Sequence, residues 1–257
     1  MNALLSSTSV GVSSNHRQLI QLHQVSKVYK TAAGDFIALN GITADIQSGE
    51  FVGVIGKSGA GKTTLLNMIT GADSITSGEV IYNTPDGEST SIHELSENSM
   101  AVWRGKNVGI IHQSFQLLPM LNLVENIMLP MDFSGHFRGR VSKERAIELL
   151  RLVDLEDHAD KLPAYISGGQ KQRVAIARSL ANDPQIIVAD EPTGSLDSVT
   201  AETILEIFER LVDQGRTIIM VTHDDNLGSR FSRRLRIADG HIEADSACRP
   251  LDSQDFQ

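Results

Sequence analysis

The chain has 257 residues, 40% of them hydrophobic, enough for one substantial core with room for a subdomain. With 23 Lys/Arg against 32 Asp/Glu it carries a formal charge of −9, which argues against a nucleic-acid partner, because phosphate neutralisation needs basic patches. The single cysteine, Cys248, excludes an internal disulfide framework, and no apolar run approaches the roughly 18 residues of a membrane helix, so any membrane partner is expected to be a separate chain.

The Ser/Thr/Asn-rich opening lacks the basic start and long apolar stretch of a signal peptide and reads as a disordered leader over 1–18. From Leu19 to Ile46 apolar residues tend to alternate, which predicts strands with a turn near Ala33–Gly34–Asp35. Phe51–Ile55 is a short apolar run, a buried central strand. It feeds a glycine loop and then a helix from Lys62 to about Thr70, with Gly71 placed to end it.

That loop, Gly56, Lys57, Ser58, Gly59, Ala60, Gly61, Lys62, Thr63 and Thr64, matches G-x-x-x-x-G-K-[ST] in the strand–loop–helix setting that makes the match credible. Its backbone N–H groups suit the β- and γ-phosphates of a nucleoside triphosphate, and the glycines let the backbone come close. The helix adds about half a positive charge at its N-terminus. Lys62 is then expected to bridge phosphate oxygens, and the Thr63 hydroxyl to ligate Mg²⁺. The competing reading is a glycine-rich turn with no ligand.

Residues 84–107 are polar and turn-rich, then partly helical, and from about Leu117 to Ala181 the pattern is mostly helical. Ser142 looks like an N-cap, followed by Ala146, Leu149, Leu150 and Val153 on one face. Within this stretch Ser167, Gly168, Gly169 and Gln170 form a turn that should open another helix and so offer a second phosphate-facing N-terminus.

Strands return at Ile186–Ala189 and Thr217–Thr222, flanking a helix with Ile204, Ile207, Phe208 and Leu211 at i, i+3, i+4, i+7 spacing. A hairpin around Asp239–Gly240 closes the fold. In QIIVADE, two acids end an apolar strand where ligands bind in open α/β sheets. Asp190 is expected to take Mg²⁺ through water, and Glu191 to act as general base on the attacking water. A pair of surface carboxylates is the alternative. The predicted architecture is α/β, with a parallel core sheet, an antiparallel strand layer and a helical subdomain inserted at about 114–181. The whole domain spans 19–245 and a tail covers 246–257.

The loop at Gly56–Thr64 together with ISGGQKQRVAIARSL resembles the ATP-binding cassette (ABC) ATPases of the P-loop NTPase class. IALNGITADIQSGEFVGVIGKSGAGKTTLLNMITG, WRGKNVGIIHQSFQLLP and VADEPTGSLDS bring it nearest the subgroup serving lipoprotein release, macrolide or antimicrobial-peptide export and cell division. The resemblance implies ATP and Mg²⁺ as cofactors and a homodimer in which each nucleotide lies between one copy's loop and the other's SGGQ turn. It also implies a separate integral-membrane permease, and a place on the cytoplasmic face of the inner membrane.

By the same resemblance Gln113 is the glutamine that senses Mg²⁺ and γ-phosphate, and His223 the switch histidine. Ser195–Leu196–Asp197 is the loop crossing to the partner copy, and Tyr29 the adenine-stacking ring. A permease is expected to dock at Trp103–Leu118, with Arg104 and Phe115 as contacts. His112, Ile166 and Ser195 depart from the commoner family residues, and none of the three is a catalytic group. A soluble ABC ATPase without transport is the competing function, weakened by the acidic charge and by the lack of a second cassette or a long coiled coil.

Overall fold

The computed structural model describes residues 18–32, 34–84, 86–135 and 137–247. The leader, Gln18 excepted, and Cys248 lie outside the described residues. Of the expected tail, Ser246 and Ala247 belong to the last strand, so the domain's final strand runs two residues past 245.

A mixed six-stranded sheet organises the chain. β3 (Phe51–Ile55) sits in its middle, between β8 (Thr217–Thr222) and β9 (Arg233–Ala238), and all three run parallel. β7 (Ile186–Asp190) and β6 (Val108–Ile111) extend the parallel array, and β10 (His241–Ala247) pairs antiparallel on the far edge. A strand points successive side chains to opposite faces, and here both faces are covered. Phe51 and Ile55 of β3, Ile187 and Ala189 of β7, and Ile218 and Met220 of β8 enter one core. Val52 and Val54, Ile186 and Val188, and Ile219 and Val221 enter the other. That explains the unbroken apolar runs of the three strands, since a parallel sheet covered on both faces has no polar side.

The second core lies under a four-stranded antiparallel sheet ordered β2-β1-β4-β5, from β1 (Gln18–Thr31), β2 (Gly34–Gln47), β4 (Ser77–Asn83) and β5 (Ser89–Ser91). α1 (Lys62–Thr70) contributes Leu65, Leu66, Met68 and Ile69 to it. The first core carries the helical layer: α3 (Leu123–Phe133), α4 (Arg140–Leu152), α5 (Gly168–Ser179) and α6 (Ser198–Asp213). There Phe51 meets Phe208 and Phe231 edge-on, with ring centroids 6.1 and 5.0 Å away. Gly53 makes the room, because a Cβ on it would lie 2.3 Å from the Phe231 ring.

One local expectation needs correction. Ser142 is not the cap of α4. The chain turns at Gly139, with φ 50°, and the helix starts at Arg140; Ser142 is buried in its first turn, where its Oγ accepts the Arg138 N–H at 2.9 Å. The helical part expected within 84–107 is α2 (Glu97–Asn107), capped by Ser96 and running directly into β6.

Candidate functional site

Because β3, β6, β7 and β8 are parallel, all four end at the same edge of the sheet, where ligands bind in open α/β folds. Ile55 pairs with Thr222, Asp190 with Val221, and Ile111 with Ala189. The residues that follow these strands therefore converge: the loop after β3, Gln113 after β6, Asp190 and Glu191 at the end of β7, and His223 after β8.

The loop leaves β3 at Gly56, whose Cβ would lie 2.2 Å from the Ile237 carbonyl oxygen, so no other residue fits there. Gly59 and Gly61 have φ of 80° and 105°, left-handed values that glycine adopts freely. The loop wraps its own lysine. Lys62, 6% exposed, donates from Nζ to the carbonyls of Gly56 at 2.8 Å and Lys57 at 2.9 Å. α1 begins without any side-chain cap at Gly61 and with no acid in its first turn. Its leading N–H groups have no intrahelical partner and stand ready for an anion.

Next to the loop, the Thr63 hydroxyl donates to Asp190 Oδ2 at 3.0 Å. Burial pushes the Asp190 carboxyl above its ordinary range, with the neighbouring Glu191 charge adding to the rise, against the Thr63 hydrogen bond and the Lys62 charge. A hydroxyl and a carboxylate side by side are hard oxygen donors of the kind Mg²⁺ takes in ones and twos beside substrate phosphates. The residues present fit such an ion.

Glu191 breaks the strand geometry. Its φ of 47° is left-handed, which for a non-glycine costs about 1 kcal/mol or more. Its N–H is nevertheless tied to Val221 O at 3.0 Å, and its carbonyl accepts from Gly194 at 3.1 Å. The carboxylate lies between two partners: His223 Nδ1 is 3.2 Å from Oε1, and Gln113 Nε2 donates to Oε2 at 3.4 Å. Three residues from three strand ends thus share one carboxylate.

The helix turn at Ser167–Gln170 is built otherwise. Ser167 caps α5 by accepting the Gln170 N–H at 3.2 Å, and Gln170 Oε1 accepts the Ser167 N–H at 2.9 Å, a complete capping box. Gln170 is thus engaged within the turn. Ser167 and Gly168 are exposed, and a Cβ on Gly169 would lie 2.3 Å from Thr200 Cγ2, which packs the turn against α6. Asp197 caps α6, accepting from the Thr200 N–H at 3.0 Å and the Thr200 hydroxyl at 2.7 Å; those bonds hold its carboxyl below the usual range. Among the described residues, no hydrogen bond or ion pair joins the Ser167–Gly169 turn to the Gly56–Thr64 loop.

Residues 39–194 match the family model described as ABC transporter. The chain belongs to the ABC transporter family. It is an ABC-type ATPase subunit. The chain is 42% identical over 233 residues to the macrolide export ATP-binding/permease protein MacB of Syntrophobacter fumaroxidans, covering 89% of this chain but 32% of that protein. It is 39% identical over 226 residues to the lipoprotein-releasing system ATP-binding protein LolD of Francisella tularensis, covering 88% of this chain and 96% of the relative. In structure it matches the ATP-binding cassette MJ0796, solved as a dimer in a post-hydrolysis state with ADP and Pi, at a TM-score of 0.81 and 38% identity. That match covers 90% of this chain and 99% of the other; MJ0796 comes from Methanocaldococcus jannaschii.

One further side chain bears on the site. Arg178, near the end of α5, donates to the carbonyls of Gln116 at 2.6 Å and Phe115 at 2.9 Å. It clamps the segment that follows Gln113 at a point where Gln116 is left-handed, with φ 48°. His112, in place of the commoner aromatic, is half-buried; burial first, and then the Arg178 charge, hold its pKa below the ordinary histidine value. Trp103 and Arg104 are less available than expected for docking. Trp103 is 8% exposed and packs edge-on against Tyr82, and Arg104 donates to the Gly71 carbonyl at 2.9 Å.

Proposed function

We propose that two copies of this chain close on two ATP molecules and that the closure drives a separate integral-membrane permease from the cytoplasmic face of the membrane. The observation that carries the reading is the division of the site. The loop, Asp190, Glu191, Gln113 and His223 gather at one sheet edge, while the Ser167–Gly169 turn, exposed at Ser167 and Gly168, is already capped and unconnected to them. A γ-phosphate held at Lys62 of one copy then meets the serine hydroxyl and leading N–H groups of α5 from the other. Loss of that phosphate removes the bridge, so the differential affinity of ATP for closed over open copies is what moves the partner.

In this mechanism Lys62 exchanges its two loop carbonyls for phosphate oxygens. Glu191 takes a proton from the attacking water, a role worth about 10²–10⁴ in rate, and His223 and Gln113 hold its carboxylate oriented. Thr63 and Asp190, with Gln113 nearby, would hold Mg²⁺, which would supply charge neutralisation for the phosphoryl group.

The same reading takes the cassette as 19–247 with the helical subdomain between Gln113 and Ala181. It keeps only the first part of the expected Trp103–Leu118 strip and widens the permease contact to a groove of about 610 Å³ between α2 and α3. Phe133 and Val102 line it at 83% and 74% exposure, with Lys106 and Arg104 beside them. Among the described residues no helix is long and apolar enough to cross a membrane; of the cargo classes lipoprotein, peptide and drug, the relatives' names support lipoprotein and a macrolide drug. Co-expression with a candidate permease tests it: Val102→Glu/Phe133→Glu should lose the membrane complex while keeping ATP hydrolysis by the free cassette. A complex of undiminished yield would place the contact elsewhere.

A further inference from the structure

The ring read as the base platform, Tyr29, is held by more than its strand. Its hydroxyl donates to Asp73 Oδ2 at 2.9 Å. The other carboxylate oxygen of Asp73 accepts from Lys27 Nζ at 2.8 Å and from the Ser74 N–H at 2.7 Å. Lys27, 7% exposed, spends a further donor on the Ser74 carbonyl at 2.6 Å. Its ammonium lies 4.9 Å from the centroid of the Tyr29 ring. Lys27 and Tyr29 are two residues apart on β1 and so share a face of that strand, whereas Asp73 lies just beyond Gly71, the left-handed C-cap of α1.

The charges suit these roles. Burial alone would raise the Asp73 carboxyl, but the hydrogen bonds from Lys27, Tyr29 and the Ser74 N–H outweigh it and hold the group below its ordinary range. Burial and then Asp73 push the Tyr29 phenol up, so it remains a protonated donor. A side-chain ammonium so little exposed is seldom left without a partner; here it is fully engaged, and none of its bonds serves the phosphate chemistry.

Resting on the reading of Tyr29 as the base platform, we infer that Lys27 and Asp73 are positioning residues for the nucleotide base. The carboxylate fixes the phenol's tilt, and the ammonium occupies one ring face so that the purine stacks on the other. An ammonium on the far face is attracted by the ring's quadrupole and leaves a single stacking mode. The arrangement ties that platform to Asp73, just beyond the C-cap of α1, the helix whose first turn closes the phosphate loop. Base and phosphate sites are thereby set at a fixed spacing before any nucleotide arrives.

The test separates base from phosphate binding by comparing ADP with inorganic pyrophosphate, both with Mg²⁺, by calorimetry on the full chain. Lys27→Met should weaken ADP about fivefold or more, within the range a lost base–aromatic stack allows, with pyrophosphate affinity unchanged. In turnover assays KM for ATP should rise by a like factor, with kcat within about twofold. Because Lys27→Met leaves a carboxylate without its ammonium, Tyr29→Phe serves as the gentler variant. It keeps the ring, loses the bond to Asp73, and should weaken ADP about threefold, again sparing pyrophosphate. Tyr29→Ala is the control. If Tyr29→Ala lowers the preference for ADP but Lys27→Met and Tyr29→Phe both retain it, the positioning role is overturned while the platform stands. Equal losses of ADP and pyrophosphate in Lys27→Met and Tyr29→Phe would overturn it too, as damage to α1 rather than to the base site. An unchanged preference in Tyr29→Ala removes the platform and the inference together.

Discussion

Helices α1 and α5 both begin at a glycine-rich turn, yet their first turns are finished differently. α1 has an uncapped, left-handed Gly61 and no first-turn acid, and its lysine folds back onto the loop's own carbonyls at 2.8 and 2.9 Å. α5 is closed by the reciprocal Ser167–Gln170 box. An N-terminus left open is a standing anion site and needs phosphate to satisfy it. One that caps itself pays no such penalty while exposed to solvent, and the Ser167 hydroxyl, accepting from Gln170, keeps its own proton to donate. The contrast fits a division of labour in which α1 binds nucleotide in a single copy and α5 waits for the nucleotide of another.

Several variants sharpen or break that contrast. The largest effect on binding and turnover together belongs to α1. Lys62→Ala should cost at least about 10²-fold in ATP turnover, since it removes a charged donor aimed at the developing phosphate charge, and nucleotide binding by the single copy should weaken with it, as read by calorimetry. Glu191→Gln should hydrolyse ATP at least about tenfold more slowly while binding it normally; near-normal turnover would remove it as the base. On the other helix, Ser167→Arg should abolish turnover yet leave single-copy binding within about twofold. Loss of that binding would erase the distinction between the two turns. The smallest effect comes from opening the box. Gln170→Ala should cost about 1 kcal/mol of stability, a fall of roughly 2–4 °C in Tm for a chain of this size, with turnover changed by less than the other three.

The same contrast marks what the sequence made legible. β3, β7 and β8 could be read because strands buried on both faces are continuous apolar runs, as in Phe51–Ile55 and Thr217–Thr222. β6 escaped notice: Val108–Ile111 is four residues long and joins α2 without a turn to announce it. Ser142 misled because an N-cap is inferred from residue type, whereas the break in the chain is set by the backbone at Gly139. The loop at Gly56–Thr64 was plain, since all its parts are contiguous. The convergence of Gln113, Glu191 and His223 came only through family resemblance, because partners 78 residues apart leave no periodicity. Lys27 and Asp73, separated by 46 positions, had no local signal at all.

The account depends on a nucleotide bridging α1 of one copy and α5 of another, and sedimentation of the Glu191→Gln protein with and without Mg²⁺-ATP tests it most directly. We expect monomers without nucleotide and dimers with it, and we expect Glu191→Gln/Ser167→Arg to stay monomeric while each chain still binds one ATP. If the double variant dimerises with ATP as readily as Glu191→Gln alone, the signature turn does not face the partner's phosphate and the account fails.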